Sequence, residues 1–501
     1  MTGINQPLAA GDPVVAQVPT TSGSLPGPFA GQSINCRSCH FVTEFEGVTG
    51  AGNRTYADFT TRSPLPRSIN GFDHTPRNAE AMVGSFMPRP GPTFLHFDGE
   101  FVDAVSLVEG TLTGRNFGWS PDQQSQAIAH IASVIRQDDG TSPLAMQRTG
   151  GLSYSTLLLG TSSKIPAQFQ LPSGYQIDVQ SATDQQVLDA VAKLIQAYME
   201  ALLFQQSNGI YTGSPYDSFL AMNLLPRAPN PGEATAAYNQ RLLQAINALK
   251  NPKFVTGAGK SFKYHSQPFV FGSTELAGLK IFLSGAPGAT DGSRHAGNCA
   301  SCHPAPNFTD TVFHCTGVSQ EEYDAANGSG SFVNLSVPSL AQRNANYNQY
   351  LPATLNHPMA SESFRHIAVA GQPQFADLGL WNVYLNPDMP NPQSALASVV
   401  CAPGVDCSVD QGLANTIAEF KTPNLRDLAD SNPYFHNGSK LTLQDVVNFY
   451  VVNSQLARLG NLRNAPSQFQ SMSIDQSDVN ALVAFLQSLT EDYDDQHPPL
   501  L

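Results

Sequence analysis

The sequence predicts a mainly α-helical protein of two domains, each built round its own Cys-x-x-Cys-His run, with a block of extra helices inserted in the first. Three observations carry that prediction. At 501 residues the chain is too long for a single core of ordinary size. Apolar residues recur at helical spacing in several separate stretches. The run Cys36-Arg37-Ser38-Cys39-His40 is answered far downstream by Cys299-Ala300-Ser301-Cys302-His303.

The two runs are the strongest signal. With 12 histidines in 501 residues, a Cys-x-x-Cys pair is followed by His by chance roughly once in 40. A zinc knuckle would combine both pairs in one site, which fits poorly with so long an intervening chain and with a His directly after each second Cys. The fitting reading is two covalently bound c-type haems. Two intervening residues let one turn of backbone span the two vinyl groups of the porphyrin. The following His40 or His303 then lies under the ring as proximal ligand. What each iron does depends on its opposite face: a strong sixth ligand makes an electron carrier, an open position a site for peroxide or oxygen.

Along the chain, residues 1–30 are rich in Gly, Pro, Ser and Thr and read as a flexible arm. Residues 31–260 form the N-terminal haem domain, with a helical insertion from about 120 to 260. Helices are expected at Ala127 to Arg136, at Thr183 to Phe204 and at Glu233 to Lys250. The second opens on a capping box, Thr183 with Gln186, and its stripe is Val187, Val191, Leu194, Ile195, Tyr198 and Leu202. Pro252 closes the third. Residues 261–501 form the C-terminal domain. Glu275 to Leu283 carries Leu276, Leu279 and Phe282 on one side, and Val479, Leu482, Val483 and Leu486 form a second stripe near the end. Such helices crossing beside a haem are the cytochrome c arrangement, so the fold expected is two cytochrome c-like haem domains.

A faint internal repeat is also visible. Thr75-Pro76-Arg77-Asn78, then His96-Phe97-Asp98-Gly99 with Val102 and Val105, is echoed by Thr422-Pro423-Asn424-Leu425-Arg426, then Phe435-His436-Asn437-Gly438 with Val446 and Val447. Duplicated haem modules are its simplest cause.

Charge narrows the partners. The balance of 26 basic against 40 acidic side chains, net −14, argues against nucleic acid and anionic membranes and suits a basic protein partner or none. No run of about 18 apolar residues is present, so no membrane span is expected. Haem attachment normally takes place outside the cytoplasm, so the protein is expected to be exported to the periplasm, its leader lying outside this sequence. Cys401 and Cys407, with Pro403 and Gly404 between them, suit a small disulfide loop in such a compartment, free thiols being the alternative. Cys315 is left over, with a buried place near the second haem expected and no catalytic role.

These motifs resemble the bacterial di-haem cytochrome c peroxidases and their MauG-type relatives. The resemblance rests on Cys299 to His303, Pro306-Asn307-Phe308-Thr309-Asp310, Phe313-His314, Phe420 to Arg426 and Pro433 to Gly438. In the first half it rests on the haem run, Arg77-Asn78 and Asp98-Gly99. Residues 120 to 265 have no counterpart in the small peroxidases. The resemblance implies that hydrogen peroxide reacts at the first haem and that the second feeds it electrons or shares its oxidising equivalents. It also implies a calcium ion held by Asn78, Ser431 and Pro433.

Axial ligands follow from the same resemblance. The peroxidases carry a Met, and the MauG-type proteins a Tyr, at the position of Tyr450. A phenolate favours ferric and higher-valent iron, which would make the second haem a store of oxidising equivalents. On periodicity alone Tyr450 is core, in line with Leu443, Val446 and Val447, and Met472 or Met389 are the substitute ligands. His74 lies where the peroxidases keep a removable ligand to the first iron. Glu109 is the nearest replacement for their distal acid, whose place falls on Asn116 or Phe117. Phe97 stands where the family has a Trp between the haems, so electrons tunnel there or pass through Tyr434 or Trp119. His314 and His436 are expected to fix propionates or proximal geometry. The electron donor is a small redox protein or an oxidisable substrate. Two other functions fit less of the pattern: a haem oxygenase acting on an organic substrate, and a di-haem protein that only carries electrons.

Overall fold

The computed structural model describes residues 76–491 except 88–90, 115–118, 258–260, 263–266, 286–294, 402–405 and 429–430, and in addition a hairpin at 17–20 and 23–26. The helices in chain order are α1 (Ala104–Thr113), α2 (Gln124–Gln137), α3 (Pro143–Thr149), α4 (Tyr154–Leu159), α5 (Asp184–Ala201), α6 (Pro215–Met222), α7 (Thr235–Asn247) and α8 (Ser273–Leu283). They continue with α9 (Val318–Asn327), α10 (Leu340–Ala345), α11 (Tyr347–Tyr350), α12 (Gln393–Val400), α13 (Val409–Asn415), α14 (Leu443–Arg458), α15 (Ser467–Gln470) and α16 (Val479–Gln487). Among the described residues sheet is confined to short antiparallel pairs: β1 (Gln17–Thr20) with β2 (Gly23–Pro26), β3 (Gln206–Ser207) with β4 (Ile210–Tyr211), and β5 (Phe313–His314) with β6 (Phe420–Lys421). The first pair lies within the stretch whose composition predicts an arm. Its register, Gln17 opposite Pro26 and Thr20 opposite Gly23, is a backbone ladder that composition does not signal. Among the described residues no helix is long and apolar enough to cross a membrane.

The mainly helical fold expected is the one observed. In the C-terminal half α8 crosses α16, burying Leu276, Leu279 and Phe282 against Val479, Leu482, Phe485 and Leu486. The crossing is close enough to need a glycine: a Cβ on Gly278 would lie 1.9 Å from the Ala481 carbonyl oxygen. Helices α6 and α7, from the stretch read as an insertion, pack into this same core through Tyr216, Phe219, Tyr238 and Leu242. Phe219 stacks on Phe271 at 4.2 Å, and Tyr216 meets Phe485 at 5.9 Å.

The N-terminal half has its own core of Met82, Val83, Met87, Val108, Met199 and Phe204, where α1 lies against α5. The capping box of α5 forms as expected, Thr183 Oγ1 accepting from Gln186 N and Gln186 Oε1 from Thr183 N. Its buried face is turned about one residue from the expected stripe: Met199 is buried and Tyr198 is 43% exposed. The helix is wedged between α1 on one side and α2 on the other, which selects Val187, Leu188, Ala192 and Met199 as the inward set.

A third core gathers residues 313–418 round the fully buried Trp381. Arg343, equally buried, lies over that indole at 5.0 Å and donates to the carbonyls of Trp381, Tyr384 and Leu385 at 2.6, 3.0 and 2.8 Å. Cys401 and Cys407 form the expected disulfide at its edge. Cys315 is buried here, its thiol bonding to the Arg463 carbonyl at 3.1 Å.

The faint repeat has a structural counterpart. Leu95 bridges Phe101 and Tyr434 bridges Lys440 across the same spacing. His96 and Gly99 take φ of 61° and 70°, and Phe435 and Gly438 take 70° and 64°. Gly99 N donates to His96 O as Gly438 N does to Phe435 O. A side-chain cap then opens a helix in each case, Asp103 before α1 and Thr442 before α14. Position for position, the counterparts of Val446 and Val447 are therefore Leu107 and Val108, not Val102 and Val105.

Candidate haem and peroxide site

The second Cys-x-x-Cys-His run forms a single tight turn. Cys302 N and His303 N both donate to Cys299 O, at 3.2 and 2.8 Å, after Asn298 at φ 49°. The turn brings Cys299, Cys302 and His303 to one cavity of about 520 Å³. Burial pushes the Cys299 thiol up to about 12 and lowers the His303 imidazole. His303 Nδ1 lies 3.0 Å from Phe308 O, so that nitrogen carries the proton and Nε2 is left as the metal-binding lone pair.

The cavity wall near this turn includes Phe282, Val447, Tyr450, Met472, Leu482 and Leu486. Tyr450 is enclosed by Phe435, Phe449 and Phe469 at centroid distances of 6.2, 5.6 and 5.6 Å, and burial raises its phenol. Of the substitute ligands, Met472 shares the cavity, whereas Met389 packs on the Trp381 core.

His314 Nε2 pairs with Asp310 Oδ2 at 2.7 Å beside Cys302. Burial alone would lower this imidazole, but the bond to Asp310 raises it well above its ordinary value. His436 is buried on the cavity wall, stacked on Phe420 at 3.5 Å, with Nε2 unpartnered. Burial lowers it to about 3. Two thiols, an imidazole with Nδ1 engaged, apolar walls and an unpaired buried nitrogen are what a covalently held haem requires of its surroundings.

The same cavity continues to the N-terminal half, lined there by Met82, Met87, His96, Leu107, Val108 and Thr111. Cys36, Cys39, His40 and His74 lie outside the described residues, as do Asn116 and Phe117. Glu109 is not on the cavity wall. It faces Asp189 on α5, and burial together with that second carboxyl raises it to about 7. Trp119 packs on Ala127 and His130, away from the cavity, while Tyr434 lines it.

Between the halves lies a buried ionic joint that sequence reading misses. Arg77 binds Asp377 through Nε at 2.6 Å and Nη2 at 2.8 Å, and also Asp98. Arg365 binds Glu100 at 2.8 Å. Burial alone would lower the Arg77 guanidinium, but Asp377 and Asp98 raise it well above its ordinary value. Burial would raise the Asp377 carboxyl, yet Arg77 holds it below the usual range. Alongside, Phe97 meets His436 edge-on at 6.3 Å, so the two matched positions of the repeat touch each other. Asn78 spans the same joint: its backbone N donates to His436 O and its Nδ2 to Pro433 O, both at 2.6 Å, with Ser431 on the adjoining wall. The pairs Arg77–Asp377 and Asn78–Pro433 are separated by 300 and 355 residues, so no local pattern announces them.

No protein-family model matches the chain. Among characterised proteins it is 26% identical over 199 residues to a cytochrome-c peroxidase, IdrP2, of Denitromonas iodatirespirans, covering 39% of this chain and 36% of that protein. It is 39% identical over 70 residues to the methylamine utilization protein MauG of Methylophilus methylotrophus, covering 14% of this chain and 19% of that one. The match thus spans 36% of the length of the first of these relatives and 19% of the second. Solved structures similar to it include the diheme peroxidase BthA of Burkholderia thailandensis, at 17% identity and TM-score 0.43 over 92% of this chain and 82% of that one. Another is a MauG-like protein associated with microbial copper homeostasis, at 14% identity and TM-score 0.41 over 92% and 84%. Over the segments matched, the chain is thus similar in sequence to di-haem cytochrome c peroxidases and to a MauG-type protein.

Proposed function

We propose that this protein is a periplasmic di-haem c-type oxidoreductase that reduces hydrogen peroxide at the haem held by Cys36, Cys39 and His40. The second haem, held by Cys299, Cys302 and His303 and capped by Tyr450, relays or shares the oxidising equivalents. Haem supplies reversible one-electron chemistry and a place for the O–O bond to break. One observation carries the reading. Helices α1 and α14 follow matched turns and both line the cavity, and where α14 presents the phenol of Tyr450, α1 presents Thr111. A threonine hydroxyl is too short to cap an iron as a phenolate does, so the duplicated scaffold is closed on one side and open on the other.

The chain's own groups divide the remaining work. The Phe308 carbonyl holds the His303 ring in one tautomer and increases its donor strength. Phe435, Phe449 and Phe469 keep water from Tyr450. The unpartnered Nε2 of His436 is available to a haem propionate. Asn78 with the carbonyls of Ser431 and Pro433 offers a calcium site at the joint between the halves. With a net charge of −14, a basic one-electron redox protein suits the role of donor.

Electron paramagnetic resonance of the ferric protein, before and after one equivalent of peroxide, tests the reading. One high-spin and one low-spin haem are expected, with the high-spin signal consumed by peroxide. Two low-spin haems indifferent to peroxide would reduce the protein to an electron carrier.

A further inference from the structure

Peroxide cleavage needs a group that moves a proton from the oxygen nearer the haem to the outer one, because hydroxide is a poor leaving group. Glu109 faces Asp189 on α5, off the cavity wall. We infer that His96, oriented by Glu100, is the proton-transfer residue on the open face of the first haem. This rests on the reading above that peroxide reacts there.

The position follows from the duplication. His96 matches Phe435, and the Phe435 ring packs 6.2 Å from that of Tyr450, on the capped face of the second haem. Thr111 stands in the place of Tyr450, so His96 stands beside an opening where Phe435 stands beside a ligand. Consistently, His96, Leu107, Val108 and Thr111 line one stretch of the cavity. Where α14 has Phe449 next to its ligand, α1 has Gly110, and the room is taken by Phe101. A Cβ on Gly110 would lie 2.9 Å from that ring, and His96 packs edge-on to it at 5.0 Å.

The ring is held for the task. His96 Nδ1 lies 3.2 Å from Glu100 Oε2, and Glu100 is in turn bound by Arg365 at 2.8 Å. Burial would raise the Glu100 carboxyl, but the Arg365 guanidinium holds it well below the usual range, so it stays an ionised acceptor. An acceptor at Nδ1 fixes the proton there and leaves Nε2 as the base. This is the carboxylate–histidine logic of nucleophilic enzymes, applied to peroxide. The backbone at φ 61° is uncommon for a residue with a side chain, and the Leu95–Phe101 bridge with the bond from Gly99 N to His96 O holds it there.

The step balances. His96 Nε2 takes the proton of the inner peroxide oxygen and returns it to the outer oxygen, which leaves as water with the O–O bonding electrons. The remaining oxygen takes two electrons from the haem pair, resupplied by a one-electron redox protein, and two protons from solvent, giving a second water.

The test uses the full di-haem protein and the variants His96→Gln and His96→Phe. The second is compatible with the local backbone because Phe435 adopts the same conformation at the matched position. Stopped-flow reaction with peroxide is expected to slow by about 10²- to 10⁴-fold in both. Independently of turnover, association of hydrogen cyanide, which must lose a proton to bind, is expected to slow at least about tenfold, while binding of neutral imidazole is unchanged. Wild-type cyanide and peroxide rates in either folded variant would overturn the assignment of His96. A wild-type protein that binds neither cyanide nor imidazole would overturn the open first haem itself, and His96 with it.

Discussion

Helix α1 and helix α14 begin from matched turns and look into one cavity, yet they are lined differently. In α14 the adjacent pair Phe449 and Tyr450 fills the space before the His303 turn, and Phe435 and Phe469 close round the phenol. In α1 the adjacent pair is Gly110 and Thr111, the Phe101 ring lies against Gly110, and the imidazole of His96 stands where the other half has Phe435. On the function proposed above, a duplicated backbone would yield a capped site and an open one through a few side-chain exchanges. The scaffold places a haem, and the helix face decides what that haem does.

The comparison can be broken most severely by removing one site. Cys299→Ala with Cys302→Ala should yield a protein carrying one covalent haem instead of two, read by intact mass and by the haem absorbance of the denatured chain. The next largest effect should come from making the faces alike. Thr111→Tyr is expected to abolish the high-spin signal and bring peroxide consumption close to the uncatalysed level. The reciprocal Tyr450→Phe should change the low-spin spectrum while leaving the high-spin haem in place. An unaltered spectrum in Tyr450→Phe would remove that residue from the iron and leave Met472 as the candidate.

The joint between the modules offers a smaller, thermodynamic test. Arg77→Ala leaves the buried Asp98 and Asp377 without their shared cation, and breaking a buried pair from one side costs about 3–5 kcal/mol. Urea unfolding of the di-haem protein should show that loss. Gly278→Ala, which forces a methyl against the Ala481 carbonyl at the α8–α16 crossing, should cost about 1–3 kcal/mol and act on the C-terminal core alone. The mildest effect is a pH trend. Burial raises Glu322 and Glu419 to about 8, so the folded protein keeps both protonated where an unfolded chain ionises them. Stability is then greatest below the ordinary Glu value and declines as pH rises through about 8. Glu419→Gln should flatten that decline in melting temperature between pH 6 and pH 9, and an unchanged slope would show that Glu419 is ionised in the fold.

What sequence could reveal followed how local the cause was. The Cys299 to His303 turn, the α8 and α16 stripes, the Thr183 capping box and the Cys401–Cys407 link depend on neighbours in the chain, and each was legible. The matched turns at His96 and Phe435 were legible as a repeat, though the helical register after them needed the backbone conformations to align Leu107 with Val446. The inward face of α5 was misjudged because periodicity fixes a stripe but not the neighbours on either side of it. That Glu109 faces Asp189 on α5 was hidden for a related reason: proximity in sequence to the Asp-Gly turn does not say which way a helical side chain points. The packing of α6 and α7 into the C-terminal core, and the joint formed by Arg77, Asp98, Asp377, Arg365 and Glu100, join residues hundreds of positions apart, and one sequence carries no trace of that pairing.

The Arg77 clasp also bears on how such a protein can be taken apart. Cut between the modules, the C-terminal piece would retain Asp377 as an anion with its counter-charge gone, and the N-terminal piece would hold Arg77 with only part of its own. Each fragment would need a substitute cation or anion, by mutation or from a binding partner, before it could be expressed alone. Swapping modules among relatives would face the same demand, with this pair of residues travelling as a unit.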